Sequence, residues 1–267
     1  MMRAIIGTIS LFGIWLAAAQ SPAAQSKATE EMVRVPAGVF LMGRNDGPAD
    51  ERPQHSVALA EFFMDRHKVT NRAFAAFLNA SGVRGPRGER YYDIDDNDAR
   101  IHKRDGKWQA HPGHEHHPVV EASWDGARAF CAWVGKRLPA EAEWEKAARG
   151  SDGRKYPWGN EAPDKTRAHF GAGWNDLRPV GSFPKGASPY GVLDMAGNGW
   201  EWVSSLYRPY PFDAADGRED PASGEIRGTR GGGHDSPAED LTATHRGRHV
   251  SRNPRGGHHN ISFRCAR

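Results

Sequence analysis

Residues 135–150 read GKRLPAEAEWEKAARG and predict a helix. Pro139 is tolerated in a first helical turn, because an N–H at that position has no intrahelical partner. Glu141 and Glu143 place negative charge at the positive N-terminal end of the helix dipole. The stretch therefore predicts a helix that opens at Pro139.

Two further helices are predicted upstream, one that begins at residues 70–71 and one that begins near Ser123. Apolar residues recur behind each start at helical spacing, so each helix has a face that packs on a core. These residues are Phe74, Phe77 and Leu78 in the first helix, and Ala127, Phe130, Cys131 and Val134 in the second.

The rest of the chain predicts short strands and loops. Residues 32–43 indicate two strands around a Pro-Ala-Gly turn, and residues 55–65 indicate another strand. Residues 82–117 are charged and rich in histidine, which favours an irregular surface insertion. Neither an internal repeat nor a linker is found after residue 31.

Composition excludes some functions. The 267 residues include 36 Lys plus Arg and 33 Asp plus Glu, for a net charge of +3. A nucleic-acid-binding protein would need a strongly basic face, so we expect no nucleic-acid partner. Glycine (31) and tryptophan (9) are abundant, which favours a loop-rich fold with an aromatic core.

The N-terminus has the layout of a secretory signal peptide. Arg3 precedes an apolar run that ends in small residues at 17–19, so we predict a signal peptide over residues 1–19 with cleavage after Ala19, or as late as Ala24. The alternative is an uncleaved anchor, although spanning a membrane takes about 20 apolar residues. Residues 20–31 read as a disordered leader and 32–267 as one domain. The protein is then secreted or periplasmic, and membrane-associated only if uncleaved.

The two cysteines, Cys131 and Cys265, are an even number in a chain with an export signal. This pattern favours a disulfide bond between them. Two buried free thiols are the alternative.

Seven motifs follow one another along the chain: MDRHKVTN (64–71), HPVVEASWD (117–125), residues 135–150, YPWGN (156–160), GVLDMAGNGWEW (191–202), RGG (230–232) and FRC (263–265). Together they resemble the formylglycine-generating-enzyme, or sulfatase-modifying-factor, family over about residues 32–267. The resemblance implies an α+β fold related to C-type lectins, with little regular secondary structure, and it implies that Cys131 and Cys265 form a structural disulfide.

The resemblance also implies a structural calcium ion in the loop from residue 194 to 202. Calcium takes six to eight oxygen ligands. Asp194 and Glu201 would supply carboxylates, and Gly197 and Gly199 would supply backbone carbonyls. The alternative is a tight turn that contains two unrelated acids. A second calcium site of the family looks eroded, because His169 stands where an asparagine is expected.

The resemblance breaks at the catalytic position. Founding members convert a sulfatase cysteine to formylglycine with copper held by two cysteines, whereas here Ser236 and Leu241 occupy those positions. A hydroxyl and an alkyl chain cannot replace two thiolates as copper(I) ligands. We therefore do not expect formylglycine formation, and the catalytic residues and any catalytic metal stay unassigned.

Two kinds of function remain. The first is an oxidative or maturation enzyme, or an accessory factor, that acts on an exported protein or a siderophore-type small molecule. The second is a non-catalytic, lectin-like binding module. Fold alone does not separate them. The candidate substrate-binding residues are Trp200, His234, Asp235 and Ser236.

The remaining histidines carry weaker signals. Residues 111–117 contain four histidines, which could bind zinc or copper, but a Gly-Pro loop imposes no ligand geometry, and their role stays open. His245, His249, His258 and His259 are expected to be ordinary surface histidines.

Signal-peptide removal predicts a new N-terminus near Gln20 or Gln25. Intact-mass spectrometry of protein recovered from the periplasm or the medium should find it. Membrane-bound protein that retains Met1 would contradict cleavage.

Overall fold

In the computed structural model, which describes residues 31–247 and 256–267, three α-helices form where the sequence predicts them. Helix α1 spans Asn71–Ser81, α2 spans Trp124–Trp133 and α3 spans Glu141–Arg149. Thr70 and Ser123 cap α1 and α2 with their hydroxyls. Helix α3 begins two residues after Pro139, so the proline lies outside the first turn.

The N-terminal strands pair in two separate antiparallel sheets. Strand β1 (Met32–Val35) pairs with β4 (Phe62–Asp65), and β2 (Gly38–Met42) pairs with β3 (His55–Leu59). The single strand predicted over residues 55–65 is therefore wrong. It divides at residues 60–61 because its two halves have different partners.

Part of the predicted irregular insertion is regular. Strands β5 (Ile101–Arg104) and β6 (Lys107–Ala110) form a hairpin. Its turn is Asp105-Gly106, and both residues have positive φ, as a two-residue hairpin turn of this kind requires. Tyr92 and Ile101 are buried in the main core. The expectation of a surface insertion therefore fails for these residues.

The fourth sheet, which has three strands, leads to the candidate site. Strand β7 (Trp200–Leu206) lies between β8 (Arg227–Arg230), which is antiparallel to it, and β9 (Ile261–Ser262), which is parallel. The α+β fold with short sheets agrees with the prediction. The predicted signal peptide (1–19), all but the last residue of the predicted leader (20–31), and His249 lie outside the described residues.

A disulfide joins Cys131 on α2 to Cys265, just after β9, as predicted. It lies in an aromatic core where Phe130 packs against Phe74 and Phe263. The two cysteines are 134 residues apart in sequence. The crosslink therefore restricts most of the unfolded domain. None of the helices formed by residues 31–247 and 256–267 is long and apolar enough to cross a membrane.

Replacing both cysteines with alanine should lower the free energy of unfolding by up to about 5 kcal/mol, the chain-entropy value for a closed loop of this size. Urea denaturation measures the change. Wild-type protein treated with a reductant is the matched comparison and should lose a similar amount. An unchanged midpoint in both would contradict the structural role of the bridge.

Candidate functional site

The loop after β8, residues 231–236, is anchored by the last residue of that strand. Arg230 lies at the end of β8 and is fully buried. Its guanidinium donates to Glu141 Oε1 at 3.0 Å and to Glu145 Oε2 at 2.6 Å, and both acids are on α3. The loop therefore leaves the sheet from a point fixed to the helix.

The loop turns sharply through glycines. Gly232 has φ 79°, and a Cβ added there would lie 2.8 Å from the Leu241 side chain. The Ser236 hydroxyl accepts the Gly233 N–H at 3.0 Å and holds the turn closed. Leu241 packs in a small apolar cluster. Ser236 and Leu241 thus both have structural roles here.

His234 points into the protein. It is 0% exposed, and neither ring nitrogen has a hydrogen-bond partner among the described residues. Burial lowers the pKa of His234, although the charge of Asp235 opposes this effect. Burial therefore favours the neutral imidazole.

Asp235 is the part of the loop that reaches the surface. Its Oδ2 lies 3.2 Å from His259 Nε2 and accepts a hydrogen bond from Asn260 Nδ2 at 3.2 Å. The His259 ring stacks on Trp174, with 3.6 Å between the ring centroids. Trp174 is 66% exposed, and its indole N–H donates to Asp98 Oδ2 at 2.8 Å.

Sequence reasoning missed Trp174 and treated His259 as an ordinary surface histidine. The two residues meet because the segment before Trp174 pairs with loop 231–236. The N–H groups of Gly171 and Ala172 each donate to carbonyls of that loop at 2.8 Å. Positions so far apart in sequence carry no local signal of this contact.

Trp200 lies beneath the loop and does not line its surface. A Cβ added at Gly233 would lie 3.1 Å from the Trp200 ring, and one at Gly247 would lie 2.7 Å from it. Trp200, His234 and Ser236 are buried, so of the four predicted substrate-binding residues only Asp235 is accessible. We call the accessible group the Asp235 surface; it consists of Asp235, His259 and Trp174.

The carboxylate of Glu201, a predicted calcium ligand, is occupied. Lys68 Nζ donates to Oε1 at 2.6 Å, and Arg264 donates to both oxygens at 2.7 and 2.8 Å. The Trp144 indole N–H adds a bond to Oε2 at 3.1 Å. Burial would raise the pKa of Glu201, but the charges of Arg264 and Lys68 outweigh it and lower the pKa to about 2.

The other predicted calcium ligands lie in the expected tight turn. Gly197 and Gly199 both have positive φ. A Cβ at Gly197 would lie 2.2 Å from the His169 carbonyl oxygen, so only glycine fits there. Asp194 accepts the Gly181 N–H through Oδ2, and its Oδ1 is buried without a hydrogen-bond partner among the described residues.

Taken together, these four residues do not fit a calcium ion. A calcium ion at Glu201 would contact the fully buried Lys68 ammonium and the Arg264 guanidinium. Burial lowers the pKa of Lys68, and the negative charges of Glu201 and Asp194 oppose that effect. The lysine therefore supplies, as part of the chain, the positive charge that the resemblance assigns to calcium.

The rings of His111, His114 and His117 contact one another in sequence without converging on one point. The ring centroids of His111 and His114 are 5.3 Å apart, and those of His114 and His117 are 4.9 Å apart. Within the described part of the chain, no three of these histidines bring ligand atoms together as a metal site would.

Comparison with known proteins identifies the family of this chain. The sequence profile of the sulfatase-modifying factor enzyme 1-like domain matches residues 17–267. The chain belongs to this family. The formylglycine-generating enzyme of Streptomyces coelicolor is 35% identical to this chain. The alignment covers 94% of this chain and 93% of that enzyme.

One further relative and one solved structure are also similar to this chain. The serine/threonine-protein kinase pkn1 of Chlamydia caviae is 42% identical over 245 residues, covering 89% of this chain but only 38% of that protein. The chain thus spans less than two-fifths of that relative's length. The structure of PvdO from Pseudomonas aeruginosa aligns with a TM-score of 0.66 and 26% identity, over 93% of this chain and 99% of PvdO.

This sulfatase-modifying-factor-like chain has its two cysteines in the disulfide. Neither thiol is available as a metal ligand.

Glu201→Gln should lower the free energy of unfolding at pH 7 by about 3–5 kcal/mol, because it leaves two buried cations without their shared carboxylate. The exposed pair of Glu61 with Arg34 provides the control, and Glu61→Gln should cost about 1 kcal/mol or less. Urea denaturation measures both changes.

The pH dependence of stability follows from the carboxyl group of Glu201. Its folded pKa, about 2, lies below the ordinary value of 4.5, so its contribution is complete above about pH 5 and disappears as pH falls toward 2. Wild type should lose stability across that window more steeply than Glu201→Gln. Equal slopes would contradict the assignment.

Proposed function

We propose that this chain is an exported maturation factor of the sulfatase-modifying-factor family that acts without the copper–cysteine chemistry of the founding enzymes. Its substrate would be an exported protein or a siderophore-type small molecule. The proposal rests on the Asp235 surface, which stands at the family's catalytic loop.

The Asp235–His259 pair is the observation that carries the proposal. A carboxylate hydrogen-bonded to one imidazole nitrogen orients the ring and stabilises its protonated form. Histidine is also the commonest general acid or base in enzymes, because its ordinary pKa lies near neutrality. His259 is partly exposed, so a bound substrate can reach it.

A copper centre of the founding type lacks its ligands. The Ser236 hydroxyl is used within the turn and Leu241 is an apolar core residue. Histidine and carboxylate remain at this place. Those groups suit proton transfer, and we assign no redox metal to them.

The exposed ring of Trp174 favours a second candidate, a binding module without catalysis. Trp174 is the most exposed of the large hydrophobic side chains among the described residues. An indole held by stacking and by a hydrogen bond offers a rigid apolar face at little entropic cost. Such a face would bind a partner whether or not His259 transfers a proton.

The first test is for formylglycine formation. Purified protein incubated with a sulfatase-motif cysteine peptide, oxygen and copper should leave the peptide mass unchanged, because the thiolate pair is missing. A mass loss that matches conversion of thiol to aldehyde, above a heat-killed control, would contradict the proposal.

The second test separates the two functions in cells. The substrate is sought by comparing exported proteins and small molecules of a deletion strain with those of wild type, by mass. His259→Ala should reduce restoration of the lost product about a hundredfold or more if the histidine is a general acid or base. His116→Ala, an exposed histidine outside the site, is the matched control and should restore fully.

The outcome of the Trp174 variant then distinguishes the candidates. Loss of restoration in Trp174→Ala together with full restoration in His259→Ala would favour the binding module and overturn the enzyme. Loss in both variants, with stability unchanged, supports maturation chemistry at the Asp235 surface.

A further inference from the structure

Three carboxylates converge beside the Asp235 surface. Asp96 and Asp98 lie in the loop before β5, and Glu121 lies just before α2. One oxygen from each lies within 4.8 Å of the other two. No other group of three acidic, histidine or cysteine ligands in residues 31–247 and 256–267 is as close.

Glu121 is the unusual member of this group. It is 1% exposed, and its Oε2 is buried without any hydrogen-bond partner among the described residues. A buried, ionised carboxylate without a partner is strongly destabilising.

Among residues 31–247 and 256–267, no basic side chain pairs with Glu121, in contrast to Glu201. The charged groups that act most strongly on Glu121 are Asp96, Asp93 and Asp98, all negative. Arg90 pairs with Asp93 and Asp95. The cluster thus has an unmet requirement for positive charge at its buried end.

Asp98 and Asp96 are oriented for a ligand. Asp98 accepts hydrogen bonds from the Trp174 indole and from the Asn175 side-chain amide, one on each oxygen. Asp96 Oδ1 accepts the Asp98 N–H at 2.8 Å. A carboxylate has about four acceptor positions, so each keeps free lone pairs for a metal. Hydrogen bonds of this kind fix the ligands of metal sites.

We propose that Asp96, Asp98 and Glu121 bind a calcium ion. The ligand set is all oxygen and carries three negative charges, which suits a hard cation and disfavours zinc or copper. Calcium accepts irregular geometry at a loop, whereas magnesium demands an octahedron. The Asn175 side-chain oxygen, also buried without a partner among the described residues, is a further candidate ligand.

The bound ion would connect the cluster of Asp96, Asp98 and Glu121 to the Asp235 surface. Asp98 holds the indole of Trp174, and Trp174 stacks on His259. A metal that fixes Asp98 therefore also fixes the exposed face of the proposed functional site. Calcium binding itself does not depend on what that site does, so the two proposals fail separately.

The test uses terbium as a luminescent substitute for calcium. Trp174 donates to Asp98, so excitation of tryptophan should sensitise terbium bound at the cluster. We expect saturable emission with one ion per chain, displaced by calcium. Asp98→Asn and Glu121→Gln should each weaken binding at least about tenfold, since ligand charge sets calcium affinity. Asp95→Asn, an exposed acid of the same loop outside the cluster, is the matched control and should bind as wild type.

Thermal unfolding separates ligation from a structural role. Without calcium, Glu121→Gln should be at least as stable as wild type, because glutamine keeps the size of the side chain and removes a group that is costly to ionise when buried. With millimolar calcium, wild type should become the more stable protein, since a ligand specific for the folded state stabilises it. A glutamine variant that is less stable in both conditions by the same amount would overturn the proposal.

Two further results would overturn it. One is the absence of terbium or calcium binding up to about 10 mM, above the range of extracellular calcium modules. The other is binding that Asp194→Asn abolishes and Glu121→Gln leaves intact, which would place the ion in the glycine turn at residues 194–199.

Discussion

The carboxylate of Glu201 is buried between two cations and an indole, and separate parts of the chain meet there. Lys68 comes from the segment between β4 and α1, Arg264 from the residues after β9, and Trp144 from α3. A buried charge is tolerated only when it is paired and hydrogen-bonded. The three segments must therefore meet where their side chains can bind the Glu201 carboxylate. Arg264 also binds the Leu193 carbonyl and so holds the glycine turn against the same centre.

A second ion cluster positions the candidate site. Glu141 on α3 accepts hydrogen bonds from Arg230 and Arg246, and Glu145 accepts from Arg230. The charge on Glu141 was expected to complement the helix dipole. In the fold it is fully buried, and it fixes the start of loop 231–236. With few long helices or strands, this domain relies on buried ion pairs to define where its loops begin.

Glu201 and Glu121 are both buried carboxylates, and they differ in whether the chain supplies positive charge beside them. Glu201 receives its positive charge from side chains of the chain itself, so that region needs no ion. Glu121 has negative neighbours, and burial without a cation is costly for it. The difference depends on which side chains face each carboxylate.

The sequence by itself determined the family, the α+β class, the three helices and the cysteine pair. These rest on local spacing, capping residues and contiguous motifs, which are properties of neighbouring positions. It also showed that residues 236 and 241 lack thiols. Only the tertiary structure showed that Lys68 occupies Glu201, and that Trp174 and His259 stack beside Asp235. Those contacts join residues up to 133 positions apart, as Lys68 and Glu201 are. Burial and electrostatic pairing of that kind depend on how loops cross in space, which one sequence does not encode locally.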